Sequence, residues 1–234
     1  MKVGIIQSNF LPWRGYFDFI YEVDLFVLHD DLQYTKGDWR NRNKIKTPRG
    51  PEWITVPVHY RQTSQLIEET SIDTSKPWAR SMLNRIRDSY RKAPHFEPYF
   101  SELSSLLLEP AATISDLNLR LIHWVCAHLD IKTPITISRQ YHPQGAKTER
   151  LIGILKQVEA TTYLSGPAAQ AYLDLELFEQ AGIRLEYKVY KYPEYEQLYP
   201  PFEPAVSVID LLFMAGGDAK AYLNRVGQKK TKNL

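Results

Sequence analysis

The fold is decided by residues 1–47, which read MKVGIIQSNFLPWRGYFDFIYEVDLFVLHDDLQYTKGDWRNRNKIKT. An apolar run at residues 3–6 has the length of a buried strand, and polar residues follow it at 7–9. A helix is expected after Pro12, since proline is favoured in the first helical turn. A second apolar run, at residues 25–28, ends in His-Asp-Asp. This order predicts an α/β unit that binds its ligand beyond the carboxyl ends of the strands.

The rest of the chain continues the α/β pattern around a helical block. Trp78, Met82 and Ile86 recur every four residues, which begins a run of helices at about residues 75–130. Short apolar strands and helices alternate after it, including a predicted helix at 168–180. The sequence therefore predicts an α/β fold with a Rossmann-like, mostly parallel sheet and an inserted helical subdomain. A single domain is expected over residues 1–234, with a flexible basic tail at 227–234.

The composition is that of an ordinary globular protein. Of the 234 residues 44% are hydrophobic and 24% charged, and no run approaches the roughly 18 apolar residues of a membrane span. Met1 and Lys2 lead directly into the first strand, so no signal peptide and a cytoplasmic location are expected. Cys126 is the single cysteine, which excludes an intramolecular disulfide and predicts buried packing. The net charge of +2 argues against a general nucleic-acid binder.

Residues 36–49 are rich in positive charge. This segment contains six basic residues, and Asp38 is its one acidic residue. Arginine forks match phosphate oxygens in a bidentate geometry, so this segment predicts a small anionic ligand. If the segment is extended, Arg40 and Arg42 share one face and the asparagines share the other. The alternative is a solvated basic loop. The candidate phosphate and substrate ligands here are Lys36, Arg40, Asn41, Arg42, Asn43 and Lys44.

The candidate catalytic residues are His29, Asp30 and Asp31, at the end of the second predicted strand. His29 is the histidine best placed for acid–base chemistry, since the ordinary pKa of histidine is close to neutral. The two aspartates could act as a base, or they could cap a turn and pair with the arginines that follow. A pair of aspartates is a weak pattern for a metal ion, so no metal site is predicted.

Two further regions carry candidate substrate contacts. Glycine inside a helix is destabilising by about 1 kcal/mol relative to alanine, so Gly15 indicates a close contact. Ser165 and Gly166 follow a strand and could offer backbone N–H groups to an anion, or simply form a turn. The tyrosine-rich residues 190–204 suit a sugar, or a surface cover. The candidate contacts outside the basic segment are Gln7, Asn9, Trp13, Gly15, Tyr16, Ser165, Gly166, Tyr195 and Gln197.

Five motifs resemble those of the WbqC-like protein family. They read IQSNFLPWxGYF at residues 6–17, HDDxQY at 29–34, DWRNRN at 38–43, YLSGP at 163–167 and FxPxxSxIDLLF at 202–213. The resemblance covers nearly the whole chain. It implies a role in bacterial O-antigen or other surface-polysaccharide (lipopolysaccharide) biosynthesis, where some members are linked to attaching glycine to an amino sugar.

The opening strand-to-helix turn also resembles that of nucleotidylyltransferases and pantothenate synthetase. In those enzymes a His-x-Gly-His tetrad meets the phosphates, and here both histidines are replaced, by Trp13 and Tyr16. The similarity supports the fold more than adenylyl transfer.

Three functional hypotheses follow. The first is a glycyl or related acyl transferase that acts on an amino sugar or nucleotide-linked amino sugar. The second is a non-catalytic nucleotide-sugar-binding or assembly protein, and the third is a nucleotidyl- or adenylyl-transfer enzyme. The expected partners are small molecules, namely a nucleotide sugar or amino sugar and an amino acid, with ATP as a candidate cofactor. The sequence is compatible with either a monomer or an oligomer.

Overall fold

The computed structural model describes residues 1–223, which form seven strands and seven α-helices. The strands are β1 (Lys2–Ile6), β2 (Leu25–Leu28), β3 (Arg42–Thr47), β4 (Gly50–Thr55), β5 (Ile135–Ile137), β6 (Thr162–Ser165) and β7 (Arg184–Tyr187). The helices are α1 (Arg14–Glu22), α2 (Trp78–Tyr90), α3 (Phe96–Leu108), α4 (Ile114–His128), α5 (Lys147–Gln157), α6 (Leu175–Gln180) and α7 (Val208–Ala215).

Five of the strands form one parallel sheet in the order β5-β2-β1-β6-β7. The predicted Rossmann-like α/β fold is therefore confirmed. Strand β1 is central and pairs in register with β2, from Val3 opposite Leu25 to Ile6 opposite Leu28. Because both strands end at the same edge, the polar residues that follow them lie side by side.

Helix α1 packs directly on β1 at Gly4. A Cβ atom at this position would lie 2.3 Å from Cε1 of Phe19, which is far inside van der Waals contact. Glycine in the central strand therefore allows the close approach of the helix. Pro12 was predicted to lie in the first turn of α1, but it lies two residues before the helix. The helix begins at Arg14, and Trp13 is the extended N-cap residue.

The predicted helical block is confirmed as the three helices α2, α3 and α4 between residues 78 and 128. Their apolar faces join a large core that includes Phe96 and Phe100, whose rings stack 4.5 Å apart, and Phe213 of α7. Strands β3 and β4 form a separate antiparallel hairpin, which covers this core with Ile45 and Ile54. The division of the chain into domains stays a prediction.

The single helix predicted at residues 168–180 is wrong. A 3-10 helix at Pro167–Ala171 and the short α6 take its place. Asp174 interrupts the helical run because its side chain accepts hydrogen bonds from the backbone N–H groups of Glu176 and Leu177 and so starts a new helix. The predicted flexible tail at 227–234 lies outside the described residues.

Within residues 1–223, no helix combines the length and the apolar composition that crossing a membrane requires.

Candidate functional site

The polar residues after β1 and β2 meet at one edge of the sheet. Asp30 connects them, since its Oδ1 accepts a 2.7 Å hydrogen bond from the backbone N–H of Ser8. Its other oxygen, Oδ2, accepts a 2.5 Å bond from Ser115 at the start of α4. The Asp30 side chain is fully buried. Asp30 therefore fastens the loop after β1 to the loop after β2 and to the helical block.

The loop between β1 and α1 has a strained backbone. Leu11 has a φ of 42°, a left-handed conformation that is rare for a residue with a Cβ atom. Asn43 of β3 stabilises this conformation, because its Nδ2 donates to the carbonyl oxygens of Phe10 and Leu11 at 3.1 and 2.8 Å. Strained backbone of this kind clusters at binding and catalytic sites, where the surrounding structure enforces it.

Arg40 braces the same loop from the other side. Its guanidinium donates to Oε1 of Gln7 at 2.9 Å, to the carbonyl of Ser8 at 3.1 Å and to Oδ1 of Asn9. Asp38 forms a long ion pair with it at 3.5 Å. Arg40 was predicted to bind a ligand. Most of its N–H groups instead donate to the protein, so its observed role is to fix the loop after β1.

A cavity of about 250 Å³ opens beside this loop. Two indole rings, Trp13 and Trp39, contribute to its walls, and Asn9 and Asn43 supply amides. Pro12 and Ala205 complete the lining. An aromatic-walled cavity with a few placed polar groups is the usual form of a small-molecule site.

Trp13 is held in place by tight packing on Gly15. A Cβ atom at Gly15 would lie 2.3 Å from Cζ2 of the indole, so only glycine leaves room for the ring. On its other sides Trp13 contacts Tyr190 and Tyr192, with ring centroids 5.1 and 5.8 Å away. The close contact predicted at Gly15 is therefore with the wall of the cavity.

Two other candidates are bonded within the fold, Tyr16 to the loop after β1 and Asn41 to the end of the hairpin. The hydroxyl of Tyr16 is buried and donates to the carbonyl of Gln7 at 3.1 Å, and burial raises the pKa of Tyr16 well above its ordinary value. Asn41 is buried and donates from Nδ2 to the carbonyl of Val56 at 2.7 Å.

Of the remaining basic candidates, Arg42 and Lys44 lie on the Trp53 face of the hairpin and Lys36 precedes it. The guanidinium of Arg42 sits 4.1 Å over the ring of Trp53, and Nζ of Lys44 lies 5.3 Å from the same ring. Lys36 is exposed and 6.0 Å from the ring of Tyr60. Arg42 and Asn43 alternate to opposite faces as an extended segment requires, although Arg40 precedes β3 and points to the loop after β1.

His29 and Asp31 belong to a second polar cluster, at the ends of β2 and β5. Asp31 accepts hydrogen bonds from Ser138 and, at 2.5 Å, from Nη2 of Arg150. Nε of Arg150 donates to Nε2 of His29 at 3.2 Å. The neutral imidazole therefore carries its proton on Nδ1.

The environment keeps His29 uncharged. Burial is the main cause that lowers the pKa of His29 to about 4; Arg150 lowers it further, and the attraction of Asp31 opposes both. Near pH 7 the ring is a neutral hydrogen-bonding group. It can donate from Nδ1, while Nε2 already accepts from Arg150.

The last four candidate contacts also lie outside the cavity lining. Ser165 is buried at the end of β6, and Gly166 precedes a 3-10 helix. Tyr195 and Gln197 donate to Oδ1 of Asp210, at 2.7 and 2.8 Å. The tyrosine-rich loop is thus tied to α7, and these two side chains are committed to the protein interior.

Several charged residues that organise the site are not evident from the sequence. Besides Arg150, these include Arg14, which is 4% exposed and whose guanidinium faces the rings of Tyr192, Tyr195 and Phe202. Lys188 and Asp18 form a buried ion pair at 2.5 Å. These partners are far apart in the chain, so no local pattern could reveal them. Trp53 could have been found from the sequence. In a hairpin, side chains alternate between the two faces, which places Trp53 on the same face as Lys44 opposite it.

Comparison with known proteins gives a consistent result. The profile of the WbqC-like protein family matches residues 7–222. The chain is also 46% identical over 225 residues to an uncharacterized protein, Rv1507c, of Mycobacterium tuberculosis; the alignment covers 95% of this chain and 97% of that relative. No solved structure is significantly similar to the chain. The chain therefore belongs to the WbqC-like protein family.

Proposed function

We propose that this WbqC-like protein is a transferase that attaches an aminoacyl group, glycyl or a related acyl group, to an amino sugar carried on a nucleotide. The product would be an amide-linked amino sugar for surface polysaccharide such as O-antigen. ATP is the candidate for activating the amino acid, and the cytoplasm is the proposed location. Membership of the family supports the pathway, and the cavity beside β1 supports a sugar ligand.

The cavity between Trp13 and Trp39, at the carboxyl end of β1, is the main structural support for a sugar ligand. Indole faces suit the apolar C–H faces of a sugar ring, and amides suit its hydroxyl or acylamino groups. Asn9 is already oriented, because its Oδ1 accepts from Arg40. Within the described part of the chain its Nδ2 has no acceptor, so this N–H group is available to a ligand.

In the proposed chemistry the sugar amine attacks the acyl carbon of the amino acid activated by ATP; the C–N bond forms, the bond to the AMP or phosphate leaving group breaks, and the amine loses a proton. The candidate proton-transfer groups stay His29, Asp30 and Asp31, at the neighbouring strand end. Asp30 has both oxygens bonded to Ser8 and Ser115, so a positioning role suits it better than proton transfer. His29 and Asp31 are linked through Arg150, which makes them the pair to test for proton transfer.

Product formation tests the proposal directly. Purified protein would be incubated with glycine, ATP and a dTDP- or UDP-linked amino sugar, and the sugar analysed by mass spectrometry. The expected result is the gain of one glycyl residue on the amino sugar, dependent on active protein. The variant Asp31→Asn should lower the rate, whereas Asp88→Asn, an exposed site in α2, should not.

One observation favours the non-catalytic alternative. Among residues 1–223, both oxygens of Asp30, both oxygens of Asp31 and Nε2 of His29 have protein partners, as in a site built for rigidity. Binding of the nucleotide sugar without any product, across amino acids and nucleotides, would support a nucleotide-sugar-binding protein. Release of pyrophosphate without amide formation would instead support nucleotidyl or adenylyl transfer.

A further inference from the structure

The outer face of the β3–β4 hairpin carries an aromatic and cationic surface. Lys44 lies directly opposite Trp53 in the antiparallel register, and Arg42 follows two residues away on the same face. The opposite face carries Ile45 and Ile54, which are fully buried in the core. On the other face Trp53 is exposed and Arg42 and Lys44 are half-buried, whereas Lys46, further along the same face, is buried.

Two tryptophans meet on this surface. The rings of Trp39 and Trp53 lie 5.1 Å apart at an angle of 43°, and they are 40% and 36% exposed. Large aromatic rings are usually buried, so two adjacent exposed indoles indicate a contact surface. Exposed aromatic faces of this kind serve as stacking surfaces for the bases of nucleotides.

The cations on this surface lack carboxylate partners. Within residues 1–223, neither Arg42 nor Lys44 lies within ion-pair distance of an acidic side chain; Asp38 pairs with Arg40. Arg42 is fixed by stacking on Trp53 and by a hydrogen bond from Nη2 to the carbonyl of Gly37, while its Nε has no partner in the described chain. Arg49 and Arg85, beside the same hairpin, both pair with Glu52. Positive charge is therefore left uncompensated next to the exposed indoles.

This surface is continuous with the cavity. Trp39 lines the cavity and also contacts Trp53 on the outer surface. Its backbone carbonyl accepts a 2.9 Å hydrogen bond from the N–H of Phe10, which fixes it to the strained loop after β1. A ligand that fills the cavity can therefore extend over Trp39 onto the hairpin.

We propose that Trp39, Trp53, Arg42 and Lys44 form a subsite for a nucleoside diphosphate, with the base stacked on the indoles and the two phosphates on the two cations. This inference rests on the proposed function, since it assigns the nucleotide part of the same substrate to the hairpin and the sugar part to the cavity. A neutral sugar polymer would use the indoles alone and leave both cations unpaired, so a nucleoside diphosphate accounts for more of the surface.

The test uses the full-length protein and titration calorimetry with UDP and dTDP, followed by the corresponding nucleotide sugars. Trp53→Leu and Arg42→Gln should each weaken UDP or dTDP binding about tenfold or more. Arg49→Gln is the matched control, because Arg49 lies on the same hairpin but pairs with Glu52. Trp124→Phe, in α4, controls for the loss of a tryptophan elsewhere. Both controls should bind as the parent does.

The diphosphate and the base are separated by a second comparison. Loss of affinity in Arg42→Gln should disappear with uridine or thymidine as the probe, whereas loss in Trp53→Leu should persist. If Trp53→Leu does not fold, Arg42→Gln and Lys44→Gln carry the test, because both residues are half-buried and neither forms an ion pair within residues 1–223. The subsite is contradicted if these variants bind UDP and dTDP as tightly as Arg49→Gln, or if a neutral oligosaccharide competes independently of Arg42.

The two proposals can fail separately. Nucleoside diphosphate binding that depends on Arg42 and Trp53, without amide formation under any condition, would leave the subsite standing and overturn the transferase. Amide formation with an unchanged KM for the nucleotide sugar in Arg42→Gln would do the reverse. If a nucleotide sugar and the corresponding nucleoside diphosphate bind with equal affinity, the sugar contributes nothing to binding. That result would contradict a sugar site in the cavity.

Discussion

Nη2 of Arg40 donates a 2.9 Å hydrogen bond to Oε1 of Gln7, which joins the basic segment to the end of the first strand. The same guanidinium contacts Ser8 and Asn9, so one arginine fixes three consecutive residues of the loop beside the cavity. Arg42, two residues later, stacks on an exposed tryptophan. The two arginines therefore have different roles despite their shared chemistry.

We expect Arg40→Lys and Arg42→Lys to separate stability from binding. Lysine cannot reproduce the three-way contact of Arg40, so Arg40→Lys should lower the free energy of unfolding by about 1–3 kcal/mol. Arg42→Lys should melt close to the parent and bind nucleotide ligand more weakly by about 1–3 kcal/mol. Thermal unfolding and calorimetry measure the two quantities. Normal binding by Arg42→Lys would mean that the guanidinium of Arg42 does not bind the ligand.

A methyl group at Gly15 should disturb the cavity wall. Gly15→Ala forces the Trp13 indole to move, because the added Cβ would lie 2.3 Å from it, and ligand affinity should fall about tenfold. Gly153→Ala in α5 is the matched control, since a Cβ there meets no atom within 4 Å. This control should gain about 0.5–1 kcal/mol of stability from helix propensity and bind normally. Equal affinities of the two variants would remove Trp13 from the site.

The buried His29 should make stability depend on pH. Its pKa is about 4 in the folded protein against 6.5 ordinarily, so between these values the unfolded chain takes up a proton that the folded protein does not. The free energy of unfolding should therefore fall as the pH falls through this window, by on the order of 3 kcal/mol in total. Burial raises the pKa of Asp18 and Asp210, which opposes this trend in parent and variant alike.

The comparison with His29→Gln isolates this contribution. Denaturant unfolding across the window should show a shallower pH dependence for the variant than for the parent. Parallel curves for the two proteins would mean that His29 titrates normally, and that the link through Arg150 does not hold it neutral.

Cys126 should be chemically inert in the native protein. It is buried in α4, and burial raises the pKa of its thiol to about 12. We expect no alkylation at neutral pH until the protein unfolds, and Cys126→Ala should lower the free energy of unfolding by on the order of 1 kcal/mol with activity intact. A folded variant without activity would identify Cys126 as a nucleophile.

The sequence predicts the sheet well, because it depends on local patterns; that a ligand binds at the edge of the sheet stays a prediction. The apolar runs at residues 3–6 and 25–28 define β1 and β2, and the polar residues after them do meet at one edge. Asn9, Trp13 and Asn43, all selected from the sequence, line the cavity. Strand periodicity and the parallel-sheet rule are sufficient for these assignments.

The roles of individual polar side chains were harder to predict. Arg40 looks the same as Arg42 in the sequence, yet its partners lie 31 to 33 positions earlier in the chain. Tyr195 and Gln197 suit a sugar by residue type, but Asp210 of α7 accepts their hydrogen bonds. Arg150 is a surface-helix residue by pattern and becomes the link between His29 and Asp31. Such contacts arise from tertiary packing, which a single sequence does not specify.

The central claim is that a nucleotide-linked sugar occupies the cavity between Trp13 and Trp39 and extends onto the hairpin. A crystal structure of the protein with a dTDP- or UDP-linked amino sugar tests it most directly. We predict electron density for the sugar against these two indoles, with the diphosphate beside Arg42 and Lys44. Density for the same ligand at the Tyr192–Tyr199 loop, with the cavity empty, would contradict the account.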